Sequence, residues 1–191
     1  FDRVAQYWTF SSVGENVAGS LNISQATLSN LLNTGAGDSL LIGAPAFNGG
    51  IFVSDAQINR ATTMQTQTAF ELRAGGLRMA DGAPVTVNAM SILLGGDATS
   101  ATGDAFAFNA MGQTVNVTGM STIATAGGDL TLNSADNQIN GLAIGDGALD
   151  LDAGVGTLTT VTGFGVTREL ASLRLAGGNT ATITQASTSG D

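Results

Sequence analysis

Val85-Thr86-Val87 and Ile92-Leu93-Leu94, followed by Gly95-Gly96-Asp97, decide the fold. In each triplet the outer residues share one face and the middle one points the other way, because side chains alternate along a strand. Each triplet therefore turns aliphatic residues inward. The glycines that follow supply the positive φ of a tight corner, and Asp tolerates it.

The same unit recurs in both directions. Before it stand Leu21-Asn22-Ile23, Leu40-Leu41-Ile42, Ile51-Phe52-Val53, Phe70-Glu71-Leu72 and Leu77-Arg78-Met79. After it come Phe106-Ala107-Phe108, Val115-Asn116-Val117, Leu130-Thr131-Leu132, Leu142-Ala143-Ile144, Leu149-Asp150-Leu151, Leu173-Arg174-Leu175 and Ala181-Thr182-Ile183. Gly and Asp punctuate the gaps, as in Gly35-Ala36-Gly37-Asp38, Gly127-Gly128-Asp129 and Gly145-Asp146-Gly147. Strands this short suit no sandwich, where about 5–6 residues is usual. One inward residue per turn, taken as Leu21, Leu41, Leu72, Leu93, Val115, Leu132, Leu151 and Leu173, gives steps mostly between 17 and 22 residues. The step from Leu41 to Leu72 is longer and suggests a larger turn or an insertion.

This pattern predicts an all-β chain: a right-handed parallel β-helix, or solenoid, of about nine coils near 20 residues each. Residues 1–191 form a single segment, with 1–19 an aromatic end coil, 20–186 repetitive coils and 187–191 a tail. Two stretches read differently. Leu28, Leu31 and Leu32 have helical spacing, with Ser24 as a cap. Asp55 to Ala69, rich in Gln and Thr, is either polar-faced strand or a bulging loop.

Composition excludes several classes. Six Arg face fifteen Asp and Glu, for a net charge of −9, with no Lys and no His. A basic surface for nucleic acid is missing. Without Cys there is no disulfide, thiolate metal site or thiol catalysis, and without His the commonest general base is gone. No apolar run approaches ~20 residues, so no membrane insertion is expected. A chain without Lys or Cys fits an extracellular or cell-surface setting.

Gly128-Asp129-Leu130-Thr131-Leu132-Asn133 is similar to the coils of filamentous-haemagglutinin-type bacterial exoproteins. Asn137 to Gly145 resembles that family's following coil, and Ile23-Ser24 through Leu40-Leu41-Ile42-Gly43 resembles a variant of it. Leu170-Ala171-Ser172-Leu173-Arg174-Leu175 resembles a further coil type. The resemblance covers about residues 18 to 186 and implies a secreted or surface-tethered β-helix serving as adhesin, toxin stalk or matrix fibre. The family's Asn-Pro-rich secretion signature is missing: the only prolines are Pro45 and Pro84, each after Ala.

Few residues point to chemistry. Asp150 and Asp152 flank Leu151 and share a face, roughly 7 Å apart at ~3.3 Å per residue. With Asp146 they are weak candidates for a Ca²⁺ site or a glycosidic carboxylate pair, against the plainer reading of solvated surface charge. The corner residues Asp38, Asp97, Asp104, Asp129 and Asp146 read as acceptors for their own turns' amides. Arg73 and Arg78 with Asp81 form the one local cluster that hints at a sugar lyase; pairing with outer acids is the simpler reading. Asn22-Ile23-Ser24 and Asn116-Val117-Thr118 are glycosylation triplets.

Tyr7, Trp8 and Phe10 suit an end contact, meeting the last coil around Ile183 in an end-to-end stack of copies. Both termini read as cuts within the coil pattern, so self-association into a filament, or continuation of a longer chain, is expected. The expected function is a non-catalytic, cofactor-free structural shaft of an extracellular bacterial fibre or adhesin. The alternative is a carbohydrate-active or glycan-binding β-helix acting on acidic polysaccharide, with surface glycans as partners.

Overall fold

Strands form where aliphatic residues alternate with Thr, Asn or charged ones, and the chain turns where Gly and Asp fall. The computed structural model describes residues 7–11, 20–24, 39–80, 82–112, 115–160, 163–178 and 181–182. Strands β1 (Tyr7–Ser11) and β2 (Ser20–Ser24) precede a repeating order. The first coil holds β3 (Leu40–Gly43), β4 (Gly50–Val53) and β5 (Ala56–Ile58). The second holds β6 (Thr62–Gln65), β7 (Ala69–Leu72) and β8 (Leu77–Met79), and the third β9 (Val85–Ala89), β10 (Ser91–Leu94) and β11 (Ala98–Ser100). The fourth holds β12 (Phe106–Ala110), β13 (Val115–Val117) and β14 (Met120–Ala124), and the fifth β15 (Leu130–Ser134), β16 (Gln138–Gly141) and β17 (Ala148–Asp152). The sixth holds β18 (Leu158–Thr160), β19 (Gly163–Phe164) and β20 (Ser172–Ala176), and β21 (Ala181–Thr182) follows.

Each coil gives one strand to each of three sheets. Sheet A runs β19-β16-β13-β10-β7-β4-β1-β2, sheet B β21-β18-β15-β12-β9-β6-β3, and sheet C β20-β17-β14-β11-β8-β5. Every pairing is parallel. The chain is a parallel β-solenoid, and no helix occurs among the described residues. The helical spacing around Leu28 lies outside them, apart from Ser24, which ends β2. No helix of the described residues is long and apolar enough to cross a membrane.

Six coils replace the nine expected. The repeat is also longer: Asn88, Asn109 and Asn133 are ladder neighbours 21 and 24 residues apart, and Asp129 and Thr157 are 28 apart. At about 4.8 Å per strand, six coils span roughly 29 Å. The reason lies in the three inward faces. Leu132 and Leu151 belong to sheets B and C of the same coil, whereas the one-residue-per-turn ladder gives each a turn of its own. Leu41 and Leu72 lie on different sheets, so their long step needs no insertion.

Asp55 to Ala69 is regular coil. It supplies β5, β6 and the first residue of β7, and Thr62, Met64 and Thr66 are buried there. Thr66 tolerates this because its hydroxyl donates to the Gly49 carbonyl and accepts the Thr68 amide at 3.1 Å.

The interior is a set of stacked rows. In sheet A, Ile51, Phe70, Ile92, Val115 and Ile139 are partners in register, and all are fully buried. In sheet B, Met64, Val87, Phe108 and Leu132 do the same. Phe108 lies 6.1 Å from Phe70 and 5.7 Å from Phe106, so three aromatic rings share an otherwise aliphatic core. Each such large side chain contributes about 1.5–3 kcal/mol by leaving water. Leu41, assigned inward above, is 56% exposed, and Leu93 also stands at an outward position. Leu142-Ala143-Ile144 is not a strand at all; it turns at the corner after β16 with both large side chains exposed.

Corners between sheets require glycine where coils touch. Gly76 has φ +65°, and a Cβ there would sit 2.1 Å from the Asp97 carbonyl oxygen of the next coil. That same carbonyl accepts the Leu77 amide at 2.8 Å.

Candidate functional site

Sheet C turns the candidate acids outward. Asp150 and Asp152 alternate with the buried Leu149 and Leu151 on β17, as the spacing predicts. β20 lies beside β17 in register, with Arg174 opposite Asp150. One guanidinium therefore meets both carboxylates: Nη1 is 2.6 Å from Asp150 and Nη2 is 3.1 Å from Asp152. The Gly154 amide donates to Asp152 at 2.8 Å and, ahead of Arg174, holds its carboxyl below the usual range. The two acids in turn raise Arg174.

Asp146 is separated from this pair. It sits at the corner before β17, where it accepts hydrogen bonds from the Thr118 hydroxyl at 2.9 Å, the Gly147 amide at 2.8 Å and the Gly119 amide at 3.4 Å. These donors, Thr118 first, lower its pKa. The three acids therefore do not converge, and no group of three metal-ligating side chains exists among the described residues.

A general acid needs a raised carboxyl pKa, whereas Asp146 and Asp152 are shifted the other way. A cation would have to displace the guanidinium shared by Asp150 and Asp152. What this arrangement does well is join the fifth and sixth coils. Beside it, Met120, Ala148 and Ser172 line up across β14, β17 and β20. Ala148, the smallest, leaves a shallow depression of about 260 Å³ walled by Met120, Leu173, Asp150 and Arg174.

Two further arginines are also paired with acids. Arg73 meets Glu71 at 3.1 Å and lies 4.3 Å above the Phe52 ring, while Arg78 meets Asp55 at 2.6 Å. Asp81 lies outside the described residues. Corner acids behave differently from expectation. Asp129 accepts the Thr157 amide at 3.0 Å and Asp97 the Thr122 amide at 2.8 Å, each in the following coil rather than its own turn. Asp104 does bond locally, to the hydroxyls of Ser100 and Thr102. Asp38 lies outside the described residues.

Sequence reading missed an amide ladder on sheet B. Asn109 donates to Asn88 at 3.1 Å, and Asn133 donates to Asn109 at 3.3 Å. The signal was present as Asn at the fourth place of Val85-Thr86-Val87-Asn88, Phe106-Ala107-Phe108-Asn109 and Leu130-Thr131-Leu132-Asn133.

The aromatic strand is not the outermost. β1 lies between β2 and β4, with Trp8 opposite both Leu21 and Ile51 and Phe10 opposite both Ile23 and Val53. Tyr7 pairs with Ser20 and Gly50. Ile183 lies outside the described residues. Of the glycosylation triplets, Asn116 is half-buried and accepts a hydrogen bond from Arg168; Asn22 is in β2, opposite Thr9.

No protein-family model, curated protein or solved structure matches the chain.

Proposed function

We propose that this chain is a non-catalytic structural shaft of an extracellular bacterial fibre or adhesin, of the filamentous-haemagglutinin type. The observation that carries this reading is the uninterrupted strand-for-strand stacking of six coils along three sheets. Such a stack is a rod whose stability comes from each coil covering the next. The pairing of Arg73, Arg78 and Arg174 with outer acids, and of corner acids with neighbouring amides, supports the same reading. These groups reinforce coils rather than face a substrate.

The sixth coil favours a further layer, from the chain's own continuation or from a second copy. Leu149 is buried in the fifth coil, but Leu173, its register partner in the sixth, is 39% exposed. Another strand alongside β20 would cover it and pair the edge that meets no further strand among the described residues. A head-to-tail contact of this kind extends along one axis unless the rotation closes it.

A glycan-binding reading rests on the depression beside Asp150 and Arg174. Two measurements separate the readings. Electron microscopy of the purified chain should show short rods that lengthen with concentration. Incubation with pectin- and alginate-like polymers should release no unsaturated sugar ends; their appearance would overturn the non-catalytic shaft.

A further inference from the structure

Asparagine followed by glycine occurs twice, at Asn48-Gly49 and Asn140-Gly141. Such a pair carries chemistry of its own. The backbone nitrogen after an asparagine can attack the side-chain amide carbon and close a cyclic imide, and glycine, lacking a Cβ, hinders that approach least. The reaction is intramolecular, so local geometry decides whether it runs. It is stopped where hydrogen bonds hold the attacking N–H and fix the asparagine amide away from it.

The fold treats the two pairs in opposite ways. Asn140 is buried in β16, where its Oδ1 accepts the Thr167 amide at 3.0 Å and the Arg168 amide at 3.4 Å. Its Nδ2 donates to Gln138 at 3.2 Å, and the Gly141 amide donates to the Arg168 carbonyl at 3.0 Å. Nucleophile and electrophile are both tied down. Asn48 instead lies between β3 and β4 and is exposed. Its side chain bonds nothing among the described residues, and the Gly49 amide donates to nothing among them.

The corner around Asn48 is clasped to the second coil from both sides. The Thr66 hydroxyl donates to the Gly49 carbonyl and lies 3.2 Å from that of Phe47, whose oxygen also accepts the Gln67 amide at 2.7 Å. The Gln67 side chain reaches back to the Pro45 carbonyl. The spacing between the Phe47 and Gly49 carbonyls is therefore part of the joint between the first two coils.

We propose that Asn48 is a site of spontaneous deamidation to isoaspartate, and that this conversion loosens the joint. The Gly49 nitrogen bonds to the Asn48 side-chain carbonyl carbon, the bond from that carbon to its amide nitrogen breaks, and the proton lost from Gly49 leaves with that nitrogen as ammonia. Water then opens the ring. Attack at the side-chain carbonyl restores the main chain and leaves aspartate. Attack at the main-chain carbonyl routes the backbone through the side chain and leaves isoaspartate. Nothing is oxidised or reduced. Both products add a negative charge, but only isoaspartate inserts a methylene between the two carbonyls that Thr66 reaches. This inference is independent of the shaft reading.

The test incubates the purified 191-residue chain in neutral to mildly alkaline buffer, with and without denaturant, and follows both asparagines by peptide mass spectrometry. In denaturant both should convert at similar rates, because the fold no longer separates them. In the native chain Asn48 should convert and release ammonia while Asn140 stays intact. Chain carrying isoaspartate should then exchange the Gln67 amide hydrogen faster than fresh chain, since that amide reports local opening of the joint. Asn48→Asp, which adds the charge with the main chain unaltered, should leave that exchange near the wild-type rate. Native Asn48 that persists while the denatured control converts, or equal conversion of both asparagines in the native chain, would overturn the site. Unchanged Gln67 exchange in the converted chain would overturn the loosening.

Discussion

The Asp129 carboxylate accepts the Thr157 amide hydrogen across 28 residues of chain, at 3.0 Å. Asp97 repeats the relationship with Thr122 one coil earlier. A strand that leaves a corner has amides no strand partner reaches, and these acids supply the missing acceptor. Asp129→Ala should therefore lower stability by about 0.5–1.5 kcal/mol, the net value of an ordinary hydrogen bond. Chemical denaturation measures this directly, and hydrogen exchange should quicken at Thr157 before the core.

The amide ladder gives a graded prediction. Asn109 bonds both neighbours, whereas Asn88 and Asn133 each make one bond within the ladder. Asn109→Ala should cost about twice as much as Asn133→Ala, which at the usual net strength means roughly 2 against 1 kcal/mol. A double-mutant cycle on the Asn88 and Asn109 pair should show non-additivity, because they share the bond.

Inward and outward neighbours should behave oppositely. Leu132 is fully buried, and Leu132→Asp should prevent folding, because an unpaired buried charge costs several kcal/mol. Thr131, beside it and outward, should accept Asp for well under ~1 kcal/mol. Equal melting temperatures would reverse the assigned faces.

Those faces were legible because alternation is local. Phe70/Leu72, Val85/Val87, Phe106/Phe108, Leu130/Leu132 and Leu149/Leu151 are all inward pairs, each around an outward middle residue. The number of coils was not legible, since three sheets present similar inward aliphatics and the sequence does not label them. Leu142-Ala143-Ile144 has the same local pattern as a strand but lies at a corner, so periodicity alone could not reject it. Buried Thr62 and Thr66 read as polar, because their burial rests on hydroxyl bonds the pattern does not show: Thr62 to the Arg60 carbonyl two residues back, and Thr66 to the Gly49 carbonyl in the coil before. The shared guanidinium at Asp150 and Asp152 depends on the register of β20, which loop lengths set.

Acid should loosen the corner before β17. The Asp146 pKa is lowered from its ordinary value of 3.8, chiefly by the Thr118 hydroxyl, and Asp152 is lowered chiefly by the Gly154 amide. A folded-state pKa below the unfolded one means that protonation favours the unfolded chain. This stabilisation is full above the ordinary carboxylate range and is lost as pH falls through it to the depressed values. Melting temperature followed from neutral pH to strong acid should therefore drop, and Asp146→Asn should flatten that drop while lowering the neutral-pH value.

Sedimentation velocity over a wide concentration range, with Leu173→Glu as the paired variant, tests the proposed shaft most directly. Leu173 is half-exposed at the sixth coil, so the substitution adds charge where a further layer would seat without disturbing the buried rows below. The account predicts concentration-dependent, elongated assemblies for the wild type and a folded monomer for Leu173→Glu. A wild-type chain that remains a compact monomer at high concentration, or a variant that assembles equally well, would contradict end-to-end stacking through that coil.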